Sequence, residues 1–322
     1  MKNTLLRFVF SGAMLGCALV ALAGRAAGQG AVAVRVVSEV PFLAPERTEK
    51  LDVYLPAPTA NGKLSPAFVW IHGGGWMRGD KAEASAKEVC ATLAGAGYVA
   101  ASINYRIGKD AWPQNIADCR NAVRFLRAHA AEYGVDPDRI AVGGGSAGAH
   151  LALMVGMTAG RDEFEPLSVR ALYPGVSSAV RCVIDMYGPT NLAGREATDE
   201  MGRPLGKRRP PAKSMEAFGV TNSYDGGRSE FFLAASPVTY VSPSSPPVLI
   251  LQGAIDPEVD PGQPRILAAV LAQFGVPHER ITVEGAGHGF DFESWKGKPL
   301  SRDLRPVALA FLAKHLEPAA KR

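Results

Sequence analysis

From residue 31 onward, short runs rich in Val, Ile and aromatic residues alternate with stretches of helical periodicity. The short runs fall at 32–37, 50–55, 67–72, 98–104, 139–144, 181–187, 247–252 and 279–284. Helical patterns occupy 84–96, 115–132, 147–159, 264–274 and 302–316. Within 115–132, Ile116, Cys119, Val123 and Leu126 mark one helical face, Arg120, Arg124 and Arg127 fall largely elsewhere, and Gly134 closes the helix. A strand followed by a helix cannot turn back as a hairpin, so the next strand lies parallel to it and the helices cover the sheet. The alternation predicts an α/β fold with a mostly parallel central sheet of about eight strands and helices on both faces. Right-handed crossovers then leave the carboxyl ends of the strands as the place where ligands collect. No internal repeat or linker divides residues 29–322, which read as a single domain.

Composition narrows the class without naming a function. Apolar residues make up 47% and charged residues 20% of the 322, which suits a globular body and neither a disordered tail nor a multispan membrane protein. A net charge of +4 is too slight to imply a nucleic-acid partner. Residues 1–28 read as an address: Lys2 and Arg7 precede an apolar run from Phe8 to Ala23 and a small-residue exit, as in a cleaved signal peptide. A membrane anchor is the competing reading, and Cys17 invites a lipoprotein one, although the apolar run continues past it. The expectation is a secreted or periplasmic protein with no stable membrane insertion after cleavage.

Cys90, Cys119 and Cys182 lie in apolar periodic segments, where buried thiols are expected, and at most one disulfide is possible among them. No CxxC, His/Cys cluster or H-E-x-x-H arrangement points to a metal. One stretch, near 191–231, is polar and aperiodic and includes Lys207-Arg208-Arg209-Pro210-Pro211. It reads either as a solvated insertion or as a partial lid.

Three motifs carry chemistry. Gly144-Gly145-Ser146-Ala147-Gly148 follows a strand and opens a helix, the context in which G-x-S-x-G raises a serine hydroxyl on a strained turn. The helix N-terminus favours negative charge there. His72-Gly73-Gly74-Gly75-Trp76 follows the strand 67–71, and a glycine run lets backbone N–H groups converge on an oxyanion. Gly74 and Gly75 are the expected donors, Ala147 supplies a third from the helix start, and Gly73 is the substitute. His72 shapes the loop rather than acting as a base; Trp76 walls an acyl pocket or packs. Gly285-Ala286-Gly287-His288-Gly289-Phe290 places His288 alone among the six histidines in a small-residue loop after the last strand, where imidazole can take and return a serine proton. Asp256, in Gln252-Gly253-Ala254-Ile255-Asp256-Pro257, is the expected orienting acid, with Glu258 and Asp260 as alternatives. The order Ser146, Asp256, His288 is that of the α/β-hydrolase fold.

With these residues in place, the chain resembles the α/β-hydrolase esterases related to hormone-sensitive lipase, and among them the bacterial acetylxylan/feruloyl-esterase-like group. The likeness rests on His72–Trp76, Gly79-Asp80-Lys81, Ile103-Asn104-Tyr105-Arg106, Gly144–His150, Asp185-Met186-Tyr187-Gly188-Pro189-Thr190, Ala235-Ser236-Pro237-Val238, Asp256 and Gly287-His288-Gly289-Phe290, and covers about 35–316. Gln252 stands where many such relatives have histidine, Asp260 where proline is usual, and Asn191 where aspartate is common. The resemblance implies a Ser146–Asp256–His288 triad, an oxyanion hole from the glycine loop and Ala147, and substrate contacts from Trp76, Tyr105 and Tyr187. It implies no metal or organic cofactor.

The expected function is hydrolysis of short acyl esters through an acyl-enzyme, on small molecules or on acetyl or feruloyl esters of polysaccharide. A serine peptidase using the same triad and a non-catalytic binding protein of this fold are the competing readings. The polar 194–230 insertion argues against a lipase with a large apolar lid. Oligomeric state is left open by these patterns.

Overall fold

The computed structural model describes residues 34–58, 62–109, 111–165, 172–193, 196–198, 204–208 and 230–317. The expected signal peptide and most of the 191–231 insertion lie outside the described residues.

Eight strands form the central sheet: β1 (Arg35–Pro41), β2 (Lys50–Leu55), β3 (Ser65–Ile71), β4 (Val99–Ile103), β5 (Val135–Gly145), β6 (Val183–Met186), β9 (Val248–Gly253) and β10 (His278–Val283). Their order is β1-β2-β4-β3-β5-β6-β9-β10. β2 pairs antiparallel with both β1 and β4, and every pairing from β4 across to β10 is parallel. This is the mostly parallel sheet of about eight strands that the strand–helix alternation predicts, and it fits the α/β-hydrolase fold that the resemblance implies. Within the insertion, β7 (Glu196–Thr198) and β8 (Pro204–Arg208) pair antiparallel, a hairpin absent from the sequence expectation. A second small hairpin joins β11 (Ser294–Trp295) to β12 (Lys298–Pro299).

Period-two alternation sorts the strand residues onto two cores. Val69, Ile71, Val142 and Ile250 face one core, into which α2 (Gln114–Ala128), α4 (Ala147–Met157) and α6 (Gly262–Gln273) pack. Phe68, Trp70, Ile184 and Leu251 face the other, covered by α1 (Ala84–Gly95) and α7 (Arg305–Leu316). A sheet buried on both faces needs continuous apolar strands, and β4, β6 and β9 are buried along their whole length. Two shorter helices are α3 (Ala130–Tyr133) and α5 (Glu230–Ala234). Gly134 ends α3 in the left-handed conformation at φ 67°, as its position predicts.

The arginines of α2 depart from expectation. Arg120 and Arg124 are buried, because Glu165 comes over that side of the helix and accepts from Arg120 Nη1 at 2.6 Å and Arg124 Nη2 at 2.7 Å. Burial lowers the Arg120 pKa, the like charge of Arg124 adds to that, and the Glu165 carboxylate opposes the shift. Cys90, Cys119 and Cys182 are free thiols buried in the cores. Among the described residues no helix is long and apolar enough to cross a membrane.

Candidate active site

The carboxyl ends of β3, β5, β6 and β9, together with the loop after β10, surround a cavity of about 860 Å³. Ser146 sits between β5 and α4 at φ 56° and ψ −120°, a conformation a residue with a Cβ holds only when its surroundings enforce it. The enforcement is visible. Ser146 N–H donates to Met186 O at 2.9 Å, and a Cβ at Gly148 would lie 2.0 Å from Ile71 O. Side chains are thus excluded on the helix side of the turn, and the Ser146 hydroxyl is held up into the cavity at the N-terminus of α4.

His288 reaches that hydroxyl from the loop after β10. Its Nε2 lies 2.8 Å from Ser146 Oγ, and its Nδ1 lies 2.9 Å from Asp256 Oδ2. A carboxylate only accepts, so Nδ1 carries the proton and Nε2 is left to accept from the serine. Asp256, in the loop after β9, has a fully buried side chain whose Oδ1 accepts the N–H groups of Glu258 (2.8 Å) and Val259 (3.0 Å). Backbone bonds from Ala254 to Val283 O (3.0 Å) and from Ile255 to Ala286 O (3.1 Å) tie the acid loop to the base loop. Of the three acids left open by the sequence, Asp256 meets the imidazole; Glu258 lines the cavity, and Asp260 Oδ1 accepts from Gly262 N–H at 2.6 Å.

The glycine loop lies against this turn. A Cβ on Gly73 would stand 3.4 Å from that of Ser146, and Gly74, at φ 109°, has no room for one beside Arg78 O. The N–H groups of Gly74, Gly75 and Ala147 donate to no described backbone carbonyl, and all three residues line the cavity.

Residues 51–271 match the model of the BD-FAE family. The chain belongs to the BD-FAE family. The matched span holds Ser146 and Asp256 and ends before His288, whose place rests on the geometry above. Esterase LipQ of Mycobacterium tuberculosis is 32% identical over 259 residues, covering 79% of this chain and 57% of LipQ. The chain spans about half the length of the curated relatives it matches, Esterase LipC of the same organism among them at 31% identity and 54% of its length. Among solved structures, the esterase Est2 of Thermogutta terrifontis is 28% identical with a TM-score of 0.65, over 90% of this chain and 95% of that one. Est2 has also been solved with propionate and with butyrate bound. A truncated carbohydrate esterase from gut microbiota superposes at a TM-score of 0.74 over 88% of this chain and 96% of that one, at 24% identity, a likeness of fold.

In this BD-FAE chain the aromatic residues divide by position. Trp76, at φ 61°, lines the cavity, and its Nε1–H donates to His150 Nδ1 at 3.2 Å with the rings edge to face. His150 Nε2–H in turn donates to Ala235 O at 2.7 Å, which fixes the tautomer that accepts from Trp76. Tyr187 also lines the cavity, its ring 4.9 Å from that of His288 and its hydroxyl donating to Phe290 O at 2.8 Å.

Tyr105, expected to contact substrate, is placed elsewhere. It is buried beneath the glycine loop, stacked on His72 at 4.4 Å, and its hydroxyl donates to His72 O at 2.9 Å. Stacking turns the ring under the loop, so Tyr105 shapes the glycine run and does not line the cavity. His72 is buried too; loss of solvation lowers its pKa, and Nδ1 is directed at Gly73 O, 2.7 Å away.

Two residues escaped the sequence reading as parts of the site. Gln252 donates from Nε2 to Asp256 Oδ2 at 2.9 Å. Trp295, from the β11–β12 hairpin, lines the cavity and donates from Nε1 to His288 O at 2.9 Å. Gln252 stood out in the sequence only as a departure from a common histidine, and nothing local marked Trp295.

Proposed function

We propose that this chain is a serine carboxylic-ester hydrolase that works through Ser146, His288 and Asp256 and an acyl-enzyme. The observation that carries the proposal is the continuous hydrogen-bonded line Ser146 Oγ–His288–Asp256 at 2.8 and 2.9 Å, opening into the cavity. Ser146 Oγ attacks the ester carbonyl carbon as its proton passes to His288 Nε2, and the imidazolium is stabilised by Asp256. The carbonyl oxygen, now an oxyanion, accepts from the N–H groups of Gly74, Gly75 and Ala147. Collapse breaks the bond to the alcohol, which leaves with the proton from Nε2. Water then attacks the acyl-serine with the same proton relay, releasing the acid and restoring the serine.

Short acyl esters are the proposed substrates, with acetyl or feruloyl groups on polysaccharide among them. Trp76, held by His150 at the cavity wall, and the propionate- and butyrate-bound forms of a 28–29% identical esterase support a small acyl site. The likeness of the motifs around Ser146 and His288 to the acetylxylan/feruloyl-esterase-like group supports the sugar-linked alcohol. Export, to the periplasm or outside the cell, is proposed from Lys2, Arg7 and the apolar run Phe8–Ala23.

The test is a series of acetyl, butyryl and decanoyl p-nitrophenyl esters, run beside acetylated xylan and methyl ferulate, on the wild type and Ser146→Ala. Turnover should be highest for the short chains and should fall by roughly four to six orders of magnitude in the variant, with the fold retained. A variant that keeps a substantial fraction of the rate would place the nucleophile elsewhere.

A further inference from the structure

Asp256 is met by more donors than a buried orienting acid needs for its imidazole. Oδ1 accepts the N–H groups of Glu258 and Val259, at 2.8 and 3.0 Å. Oδ2 accepts from His288 Nδ1 and also from Gln252 Nε2, both at 2.9 Å. The imidazole and the amide therefore share one oxygen. A carboxylate oxygen has lone pairs enough for both, but each donor draws charge density from the other's bond.

Gln252 is well placed to be stiff. It is the penultimate residue of β9, registered against Thr282 of β10, and it is buried. The second face of its Nε2 looks toward Val259 O at 3.4 Å. The amide nitrogen thus faces two acceptors, which fixes its orientation: an oxygen in that place would oppose both a carboxylate and a carbonyl. One side chain thereby closes the 253–259 loop across its own ends and reaches the oxygen that meets the base.

We propose that Gln252 is a positioning residue of the reaction: it holds Asp256 Oδ2 in line with His288 Nδ1 and moderates how strongly that oxygen binds the imidazolium. The inference rests on the proposed ester-hydrolase function of Ser146, His288 and Asp256. With the amide gone, the two backbone donors still hold Oδ1, but Oδ2 keeps the imidazole as its only close partner among the described residues. The carboxylate is then freer to turn about its Oδ1 anchor, and its undivided charge favours the protonated ring.

The experiment compares the wild type, Gln252→Met and Gln252→His. Methionine keeps the length and removes the donor; imidazole returns one. For each, kcat and KM for p-nitrophenyl acetate are measured across the acid limb. Competent sites are counted by the p-nitrophenol burst with a p-nitrophenyl dialkyl phosphate. Gln252→Met is expected to keep KM, lose about tenfold in kcat per titrated site, and move its acid limb up by roughly half a pH unit. Gln252→His is expected to recover most of both effects. Wild-type kcat per site and an unmoved acid limb in Gln252→Met would overturn the inference. So would a fall in rate matched by a fall in titrated sites with the acid limb unmoved, which marks a purely structural role. If the wild type itself gives neither burst nor ester turnover, the ester-hydrolase proposal fails first, and that result is in hand before any Gln252 variant is made.

Discussion

His288 Nε2 stands 2.8 Å from Ser146 Oγ although 142 positions separate the two residues. The sheet accounts for the meeting. β5 and β9 flank β6, β10 lies beside β9, and all four run parallel, so the loops that leave their carboxyl ends emerge on one edge. No local sequence pattern could hold a hydroxyl and an imidazole at that distance. Parallel strand order does so for any residues set just beyond those strand ends.

The acid can be tested without disturbing shape. Asp256→Asn keeps the side-chain volume and can still accept from Glu258 and Val259, which places its amide nitrogen toward His288 and costs the Gln252 amide its acceptor there. The imidazole must then present a lone pair at Nδ1 and a proton at Nε2, the wrong tautomer for accepting from Ser146. Steady-state kinetics on p-nitrophenyl acetate should show a loss of about 10⁴-fold in kcat with Tm nearly unchanged. A loss smaller than tenfold would remove Asp256 from the proton relay.

The turn that carries Ser146 makes a second, sharper demand on volume. A Cβ at Gly148 would lie 2.0 Å from Ile71 O and 2.4 Å from His72 O, backbone atoms with nowhere to retreat. Gly148→Ala should therefore lose about 3 kcal/mol or more in urea unfolding, and should displace the glycine loop as α4 moves off β3. Gly95, the last residue of α1, is the contrast, because a methyl group there would have nothing within 4 Å. Gly95→Ala should be neutral or stabilising by up to about 1 kcal/mol.

Much of this architecture is legible in the sequence, and the exceptions have physical causes. Lys50–Leu55 and the helix beginning at Ala84 are announced by local periodicity, and the motif around Ser146 by the glycines its turn requires. The burial of Arg120 and Arg124 is not, because their partner Glu165 lies 45 and 41 positions away and outside their helix. Tyr105 follows a strand at the carboxyl edge, as a substrate contact would, and only stacking on His72 turns it under the loop. The β11–β12 hairpin is two residues a side, too short for any period; Lys296 and Gly297, both at positive φ, make its turn, and the Asp291 side chain fixes the approach to β11 by accepting from the N–H groups of Glu293 and Ser294.

That hairpin gives a third prediction. Trp295 Nε1–H donates to the carbonyl of His288 itself, and its ring edge fills the space where a Gly287 side chain would stand. Trp295→Phe keeps most of the ring and deletes the donor, loosening the backbone that aims the imidazole. A fall of about fivefold in kcat, with Tm within a few degrees of wild type, is the expected result of losing one such bond. Unchanged kcat would limit Trp295 to lining the cavity.

Asp185, on β6 below the site, sets a pH dependence of stability. Its carboxyl is wholly buried and accepts from Gly188 N–H at 2.9 Å; burial pushes its pKa up to about 7, against an ordinary 3.8, with the Gly188 bond opposing the shift. The folded state therefore binds this proton more tightly than the unfolded chain does. Between about pH 4 and about pH 7 the unfolded chain has released the proton and the folded one has not, so raising the pH removes stability at up to about 1.4 kcal/mol per unit. Above that window the contribution is flat. Asp185→Asn still offers Oδ1 to Gly188 and does not ionise, so across about pH 5 to about pH 8 its Tm should fall less than that of the wild type, by several degrees. Thermal unfolding in matched buffers measures the difference directly. Parallel Tm curves for the two proteins would mean that Asp185 ionises in the fold as easily as it does in the unfolded chain.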